Sequence, residues 1–292
     1  MLSRLDKLQL SFAILNLVAA TVAAVLVFAD PREILGVPLW MKPFKFFISA
    51  TLMSLTLAYV IPRIQKAKKL VHIASIVIVA SLTVELVLIT WAAASETTSH
   101  FNVSNPLAIS IWTAMAGFIT AVWVATIILT LMYLRYGRDQ GILKRSMVWG
   151  MGISIIGMGV AFLMTGPTSD QLADFQGIAG AHTVGAADGG PGLPLFGWST
   201  IAGDLRIPHF FGLHALQALP LFALALKDRA SKLSVDAFGV GYLVAIALLT
   251  AQALNQQSIV ETPIWMAAVL ALAVLAPVIL ALAGQTKDKQ PA

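Results

Sequence analysis

Hydrophobic residues run through this chain in unbroken stretches, not in alternation. Apolar runs of about 20 residues, the length a helix needs to cross a bilayer, recur from Leu8 almost to the C-terminus. Continuous apolar runs exclude a membrane barrel, whose strands alternate. The pattern predicts eight spans, at residues 8–29, 43–62, 70–94, 107–134, 146–166, 207–227, 233–255 and 263–284. The expected fold is all-α, a polytopic helical membrane bundle with residues 1–292 forming one transmembrane domain. The first run is too long for a signal-peptide core and lacks a small-x-small cleavage site, so it is read as a retained helix.

One segment breaks the pattern. Residues 167–206 are polar and carry eight glycines, with Leu, Phe and Trp toward their end. Structureless loops beyond about 15 residues are uncommon in compact domains. This one is expected to fold back as a lid over the outer mouth of the bundle.

Composition agrees with a membrane domain. Hydrophobic residues make up 58% of the chain and charged residues only 11%, against about 25% charged in soluble domains. The chain has no cysteine, which removes disulfides, thiolate metal sites and cysteine nucleophiles. The basic residues set an orientation. Fifteen of the nineteen lysines and arginines fall at the N-terminus, the C-terminal tail and the second, fourth and sixth loops. The positive-inside rule then puts both termini in the cytoplasm. Acids such as Asp30, Glu96, Asp170 and Asp204 fall on the other side. The basic surplus is therefore a topogenic signal facing anionic lipid, not a nucleic-acid surface.

Candidate chemistry gathers on the outer side. Lys42 and Lys45 open the second span one turn apart, with Ser49 and Thr56 on the same face. Two cations at a helix N-terminus oppose its dipole and so invite an anion, a small molecule or a lipid headgroup; the plainer reading is snorkelling to the headgroups. Glu85 lies deep in the third span, where a charge costs about 2.5–3.5 kcal/mol on insertion scales and needs a partner or a cavity. Lys45 is the expected partner. Residues 197–220 bring Asp204, Arg206, His209, His214 and Gln217 together, and His100 and His182 come from loops. Gln252, Asn255 and Gln256 are expected to share one amide-bearing helix face. In the fifth span, Gly150 with Ser154, and Gly152 with Gly159, offer small faces for close helix packing.

Imidazole suits zinc, copper and iron. His100, His182, His209 and His214 are thus the candidate metal ligands, with His182, His209 and His214 at the core of the set. Haem b between His100 and His214 is a variant. Glu85 and Asp204 are the candidate acid–base groups. Lys42, Lys45, Arg206, Gln217, Gln252 and Gln256 are the candidate ligand- or cofactor-holding groups. His209 and His214 are five positions apart, about 140° on a regular helix, so they share no face as i, i+4 ligands do. A hydrogen-bonded network that pins the lid to the bundle, a metal or haem centre, and metal-free acid–base chemistry all remain open. The corresponding functions are an outward-facing oxidoreductase, a ligand- or proton-sensing protein, and a small-solute transporter. The last fits poorly, because the inner half of the spans shows few polar groups and no repeat relates the two halves. Nothing in the sequence fixes an oligomeric state.

SHFN at 99–102, GAHTVG at 180–185, DGGPGLP at 188–194 and GWSTIAGDLRIPHFFGLHALQALP at 197–220 resemble a family of bacterial integral membrane proteins with no assigned activity. The likeness runs from the second span through the sixth. It implies a multi-pass protein of the bacterial inner membrane and leaves the chemistry open.

Overall fold

The computed structural model describes residues 5–283; Arg4 and the tail lysines Lys287 and Lys289 used in the orientation argument lie outside them. Eight helices are long and apolar enough to cross a membrane. They are α1 (Lys7–Ala29), α2 (Met41–Val60), α3 (Lys68–Ala94), α4 (Pro106–Tyr136), α5 (Gly141–Val160), α7 (Arg206–Leu226), α8 (Lys232–Leu254) and α9 (Ile264–Ala283). The expected spans match them closely. Between α5 and α7 lies a five-residue helix, α6 (Ser169–Ala173), opened by a capping box of Thr168 and Gln171. Two-residue ladders pair β1 (Glu33–Ile34) with β2 (Val37–Pro38), and β3 (Thr183–Val184) with β4 (Gly203–Asp204).

Local sequence explains the helix ends. The Asn105 side chain accepts from the Ala108 amide and Pro106 fills the first helical position, which starts α4. Ser231 and Ser234 cap α8 reciprocally. At its far end α8 stops at Leu254 because Gln256 turns left-handed, φ 62°. The amides of Gln256 and Gln257 return to the carbonyls of Ala253 and Gln252 in a Schellman arrangement. The expected amide face of Gln252, Asn255 and Gln256 therefore does not form: only Gln252 is on the helix.

Connections alternate between two ends of the bundle. At one end the α2–α3 turn pairs with the α4–α5 turn through Ile64 and Gly137. Beside them Arg63 faces Asp139, which also accepts from the Tyr133 hydroxyl at 2.8 Å. This end carries the basic turns. The other end carries the long segment 165–205 and is called the lid end below.

Packing has a tight seam at α5–α7. Gly157 lies against the backbone of Gly212, and Gly150 against Ala215, so close that a Cβ on either α5 glycine would collide with α7 backbone. Gly152 and Gly159, expected to help close packing, meet nothing nearby. The contact face is set by the seven-residue spacing of Gly150 and Gly157, about two helical turns. The core on one side of this seam is built on Leu57, Ile78, Leu129, Tyr133 and Met151. On the other it is built on Ile153, Ala215, Leu219 and Ile246. By contrast Leu15, Val25, Leu131, Leu221, Leu272 and Ile279 are exposed along the helix flanks, as a surface solvated by lipid requires.

Candidate functional site

The lid is an ordered structure. Its first half adds backbone hydrogen bonds to the α3–α4 loop, Val103 N to Gly177 O and Ala179 N to Phe101 O. Gln171 of α6 binds both backbone groups of Gly180. The second half returns through the β3–β4 ladder. Gly203 sits there against the Ala253 carbonyl at the end of α8, leaving no room for a side chain. Ser258 donates to Ser199 O at 3.2 Å. The lid is thus braced internally by α6 and tied to the α3–α4 loop, the end of α8 and the α8–α9 loop.

Beneath it lies a chamber of 2290 Å³, walled by α2, α3, α4, α5 and α7. Its walls are mainly apolar and include Phe46, Leu86, Met115, Trp123, Met158 and Phe210. Small-molecule pockets usually measure about 300–1,000 Å³, so this space suits a lipid-sized guest. Lys42, Lys45, Glu85, His100, His182, Arg206, His209, His214, Gln217 and Gln256 all line it. Asp204 and Gln252 do not.

Three polar assemblies form the roof and upper walls. In the first, Lys42 Nζ and Ser99 Oγ lie 3.2 and 2.9 Å from His100 Nδ1. An ammonium can only donate, so Nδ1 accepts and the ring proton belongs on Nε2. That nitrogen faces Glu85 Oε1 at 3.7 Å, too long for a strong hydrogen bond. The Glu85 side chain is 4% exposed, and its Oε2 has no hydrogen-bond partner. Burial, and then the neighbouring Lys42 charge, hold His100 well below the ordinary imidazole value. The expected Lys45–Glu85 pair is not formed. The next turn of α2 carries Lys45 away from Glu85, and its ammonium donates to the Phe196 carbonyl at 3.0 Å.

The second assembly is the lid clasp. Asp204 accepts from the amides of Ser199 and Arg206 and from the Arg206 guanidinium. Its side chain is 0% exposed. Arg206 also donates to Gly197 O at 2.6 Å. Asp204 therefore holds lid and α7 together and does not face the chamber, in contrast to its expected acid–base role. Gln252 is likewise absorbed, donating to Ser258 O and Thr262 Oγ1.

The third assembly consists of oriented histidines. His182 Nδ1 donates to Asp188 Oδ2 at 2.7 Å, and Asp188 also accepts from the amides of His182 and Thr183. His209 Nδ1 donates to Gly157 O at 2.7 Å, at the close α5–α7 crossing. His214 Nδ1 faces Gln217 Oε1 at 3.3 Å, while the Gln217 amide donates to Leu52 O and Thr56 Oγ1 of α2. Each ring, when neutral, is left with an unprotonated Nε2. Even so, no group of three or more His, Asp or Glu that could hold a metal ion is found among the described residues. His100 and His182 instead both pack against the Phe101 ring, at centroid separations of 6.0 and 4.8 Å. Asp188, counted among the acids but not among the expected site residues, was legible as an acid six positions beyond His182 in a glycine-rich turn.

The lid should respond to acid. Burial lowers His182 below its ordinary 6.5, a drop only partly opposed by the Asp188 hydrogen bond, and His100 is lowered further. Burial alone would raise Asp188, but the His182 ring and the two amides hold it well below the carboxylate range. An undocked lid binds protons at the ordinary imidazole value, while the docked lid resists them. Acid below about pH 6.5 thus favours undocking. Hydrogen exchange of residues 177–190 should be faster at about pH 5.5 than at about pH 7.5. Equal rates after correction for intrinsic exchange would refute a lid held by neutral imidazoles.

Comparisons with models of known protein families, with curated proteins and with solved structures find no match to this chain.

Proposed function

We propose that the protein is a multi-pass membrane protein that binds an amphiphilic anion. The head of the guest lies under the lid at Lys45 and Lys42, and its apolar body lies along the chamber wall. The observation that carries this reading is the chamber itself: lipid-sized, mainly apolar, and roofed by two lysines. Neither lysine has a carboxylate within ion-pair distance among the described residues. An ammonium has three donors, and Lys45 uses one, on a carbonyl. An anionic oxygen would satisfy the others. The basic turns at the opposite end support an outward-facing lid, and the sequence resemblance supports the bacterial inner membrane as its location. The lid contacts support a binder or sensor of the guest over a transporter. A copper, zinc, iron or haem b oxidoreductase has less support, since the four histidines are oriented by separate partners and form no ligand group.

The test uses purified protein in nanodiscs of neutral lipid, titrated with dodecyl phosphate. Trp112, Trp123 and Trp198 line the chamber and report occupancy by fluorescence. Saturable binding is expected, and Lys45→Gln should weaken it by about tenfold or more, the worth of one charge-assisted hydrogen bond. Absence of a saturable signal, or equal binding of uncharged dodecanol, would overturn the reading.

A further inference from the structure

The polar roof holds two kinds of unmet demand, and they differ in sign. Lys45 has donors to spare. Glu85 has an acceptor to spare: the residue lines the same chamber, and its buried Oε2 receives no hydrogen bond. Its other oxygen sees only His100 Nε2, at 3.7 Å. The nearest ammonium, Lys42, reaches it only across the imidazole ring, because Lys42 Nζ is committed to His100 Nδ1. A buried carboxylate oxygen left unpaired costs several kcal/mol in order of magnitude. A partner that arrives with the guest would remove that cost.

Resting on the binding reading above, we propose that the guest's head is dipolar. It carries an anionic oxygen group for Lys45 and, on the same head, an N–H donor for Glu85 Oε2. A primary ammonium separated from a phosphate by a short linker has this chemistry. A purely anionic head would satisfy Lys45 and leave Glu85 unpaired. A quaternary ammonium would bring charge without a hydrogen to donate. The phosphoethanolamine group, free or on a lipid, is therefore the class of head that meets both demands.

The same nanodisc titration decides between these heads. Dodecyl phosphoethanolamine should bind wild-type protein about tenfold tighter than dodecyl phosphate or dodecyl phosphocholine. Glu85→Gln preserves side-chain shape and removes the charge. It should abolish that preference while leaving dodecyl phosphate affinity within about twofold. A wild-type preference below about twofold, or one that survives Glu85→Gln, overturns the inference even when dodecyl phosphate binds. Retained dodecyl phosphate binding shows that the variant is folded; should the variant not accumulate, the wild-type preference decides. If no ligand binds, the binding reading falls first and takes this inference with it. Chain-free phosphoethanolamine separates the sources. Binding equal to the dodecyl form supports the dipolar head and assigns it to a water-soluble guest; much weaker binding supports a lipid.

Discussion

Gly157→Val is expected to abolish accumulation of folded protein. Gly157 and Gly212 bring α5 and α7 into backbone contact, and any Cβ at Gly157 would overlap Gly212 and the Leu213 amide. Neither helix can yield locally. Gly150 makes a second close approach to Ala215 two turns away, and the facing groups are backbone, which has no rotamer to change. Overpacking in a yielding core costs about 1–3 kcal/mol; here the backbones must separate, and the loss should reach about 3 kcal/mol or more. The damage would also reach the chamber, because the Gly157 carbonyl orients His209. Gly152→Val, five residues earlier on the same helix and facing open space, is the control and should be tolerated. Comparing the two variants by size-exclusion profile and thermal melting in detergent checks the prediction. Equal behaviour would mean that the α5–α7 crossing is looser than described.

The second large effect is expected from Asp204→Ala. This carboxylate satisfies two backbone amides and the Arg206 guanidinium from a fully buried position. Its removal strands a half-buried cation and the Ser199 amide. Breaking a buried pair from one side costs about 3–5 kcal/mol. Arg206 keeps some water contact, so the lower end is expected, about 3 kcal/mol. The loss should fall mainly on the lid, because Ser199 and Arg206 link the lid to the first turn of α7. Protease cleavage between residues 185 and 203 should appear well before the helices melt. A uniform loss of stability across the bundle, with the lid still protected, would refute the clasp. Asp204→Asn, which keeps an acceptor but not the charge, should fall between the two.

The bundle was largely legible in the sequence because lipid imposes a simple rule on it. Backbone groups must be satisfied within each span, so length and hydropathy alone locate the helices. Asn105-Pro106 carries the capping chemistry of a helix start, and α4 begins there. What failed was finer than one helical turn. The amide face at the end of α8 assumed that the helix continues, whereas Gln256 takes a left-handed conformation that favours glycine and that no composition signal announces. Of the paired small residues in α5, Gly150 lies on the contact face, but Gly152 and Gly159 do not. Only the approach of α7 decides which face is used.

At the candidate site, spacing placed Lys42 and Lys45 on one helix face and Glu85 deep in the next span, with Lys45 as its expected partner. It could not tell which lysine lies nearer the carboxylate, because His100, from a different loop, stands between Lys42 and Glu85. Asp204 was named as a candidate acid–base group, whereas the structure buries it completely in the clasp. Its use in a clasp depends on β3 pairing with β4 across some twenty residues, a tertiary contact that no local pattern encodes.

The stitching of the cover also sets an order of assembly. Its partners are Phe101 and Val103, made before it during synthesis, and Ala253 and Ser258, made well after it. A nascent chain can seat the first half once α4 is in place, and Lys45 and Arg206 can hold the second, but its contacts with Ala253 and Ser258 wait until α8 and the loop after it are made. The cover is therefore completed among the last steps of biogenesis, after the helices that wall the compartment have already met.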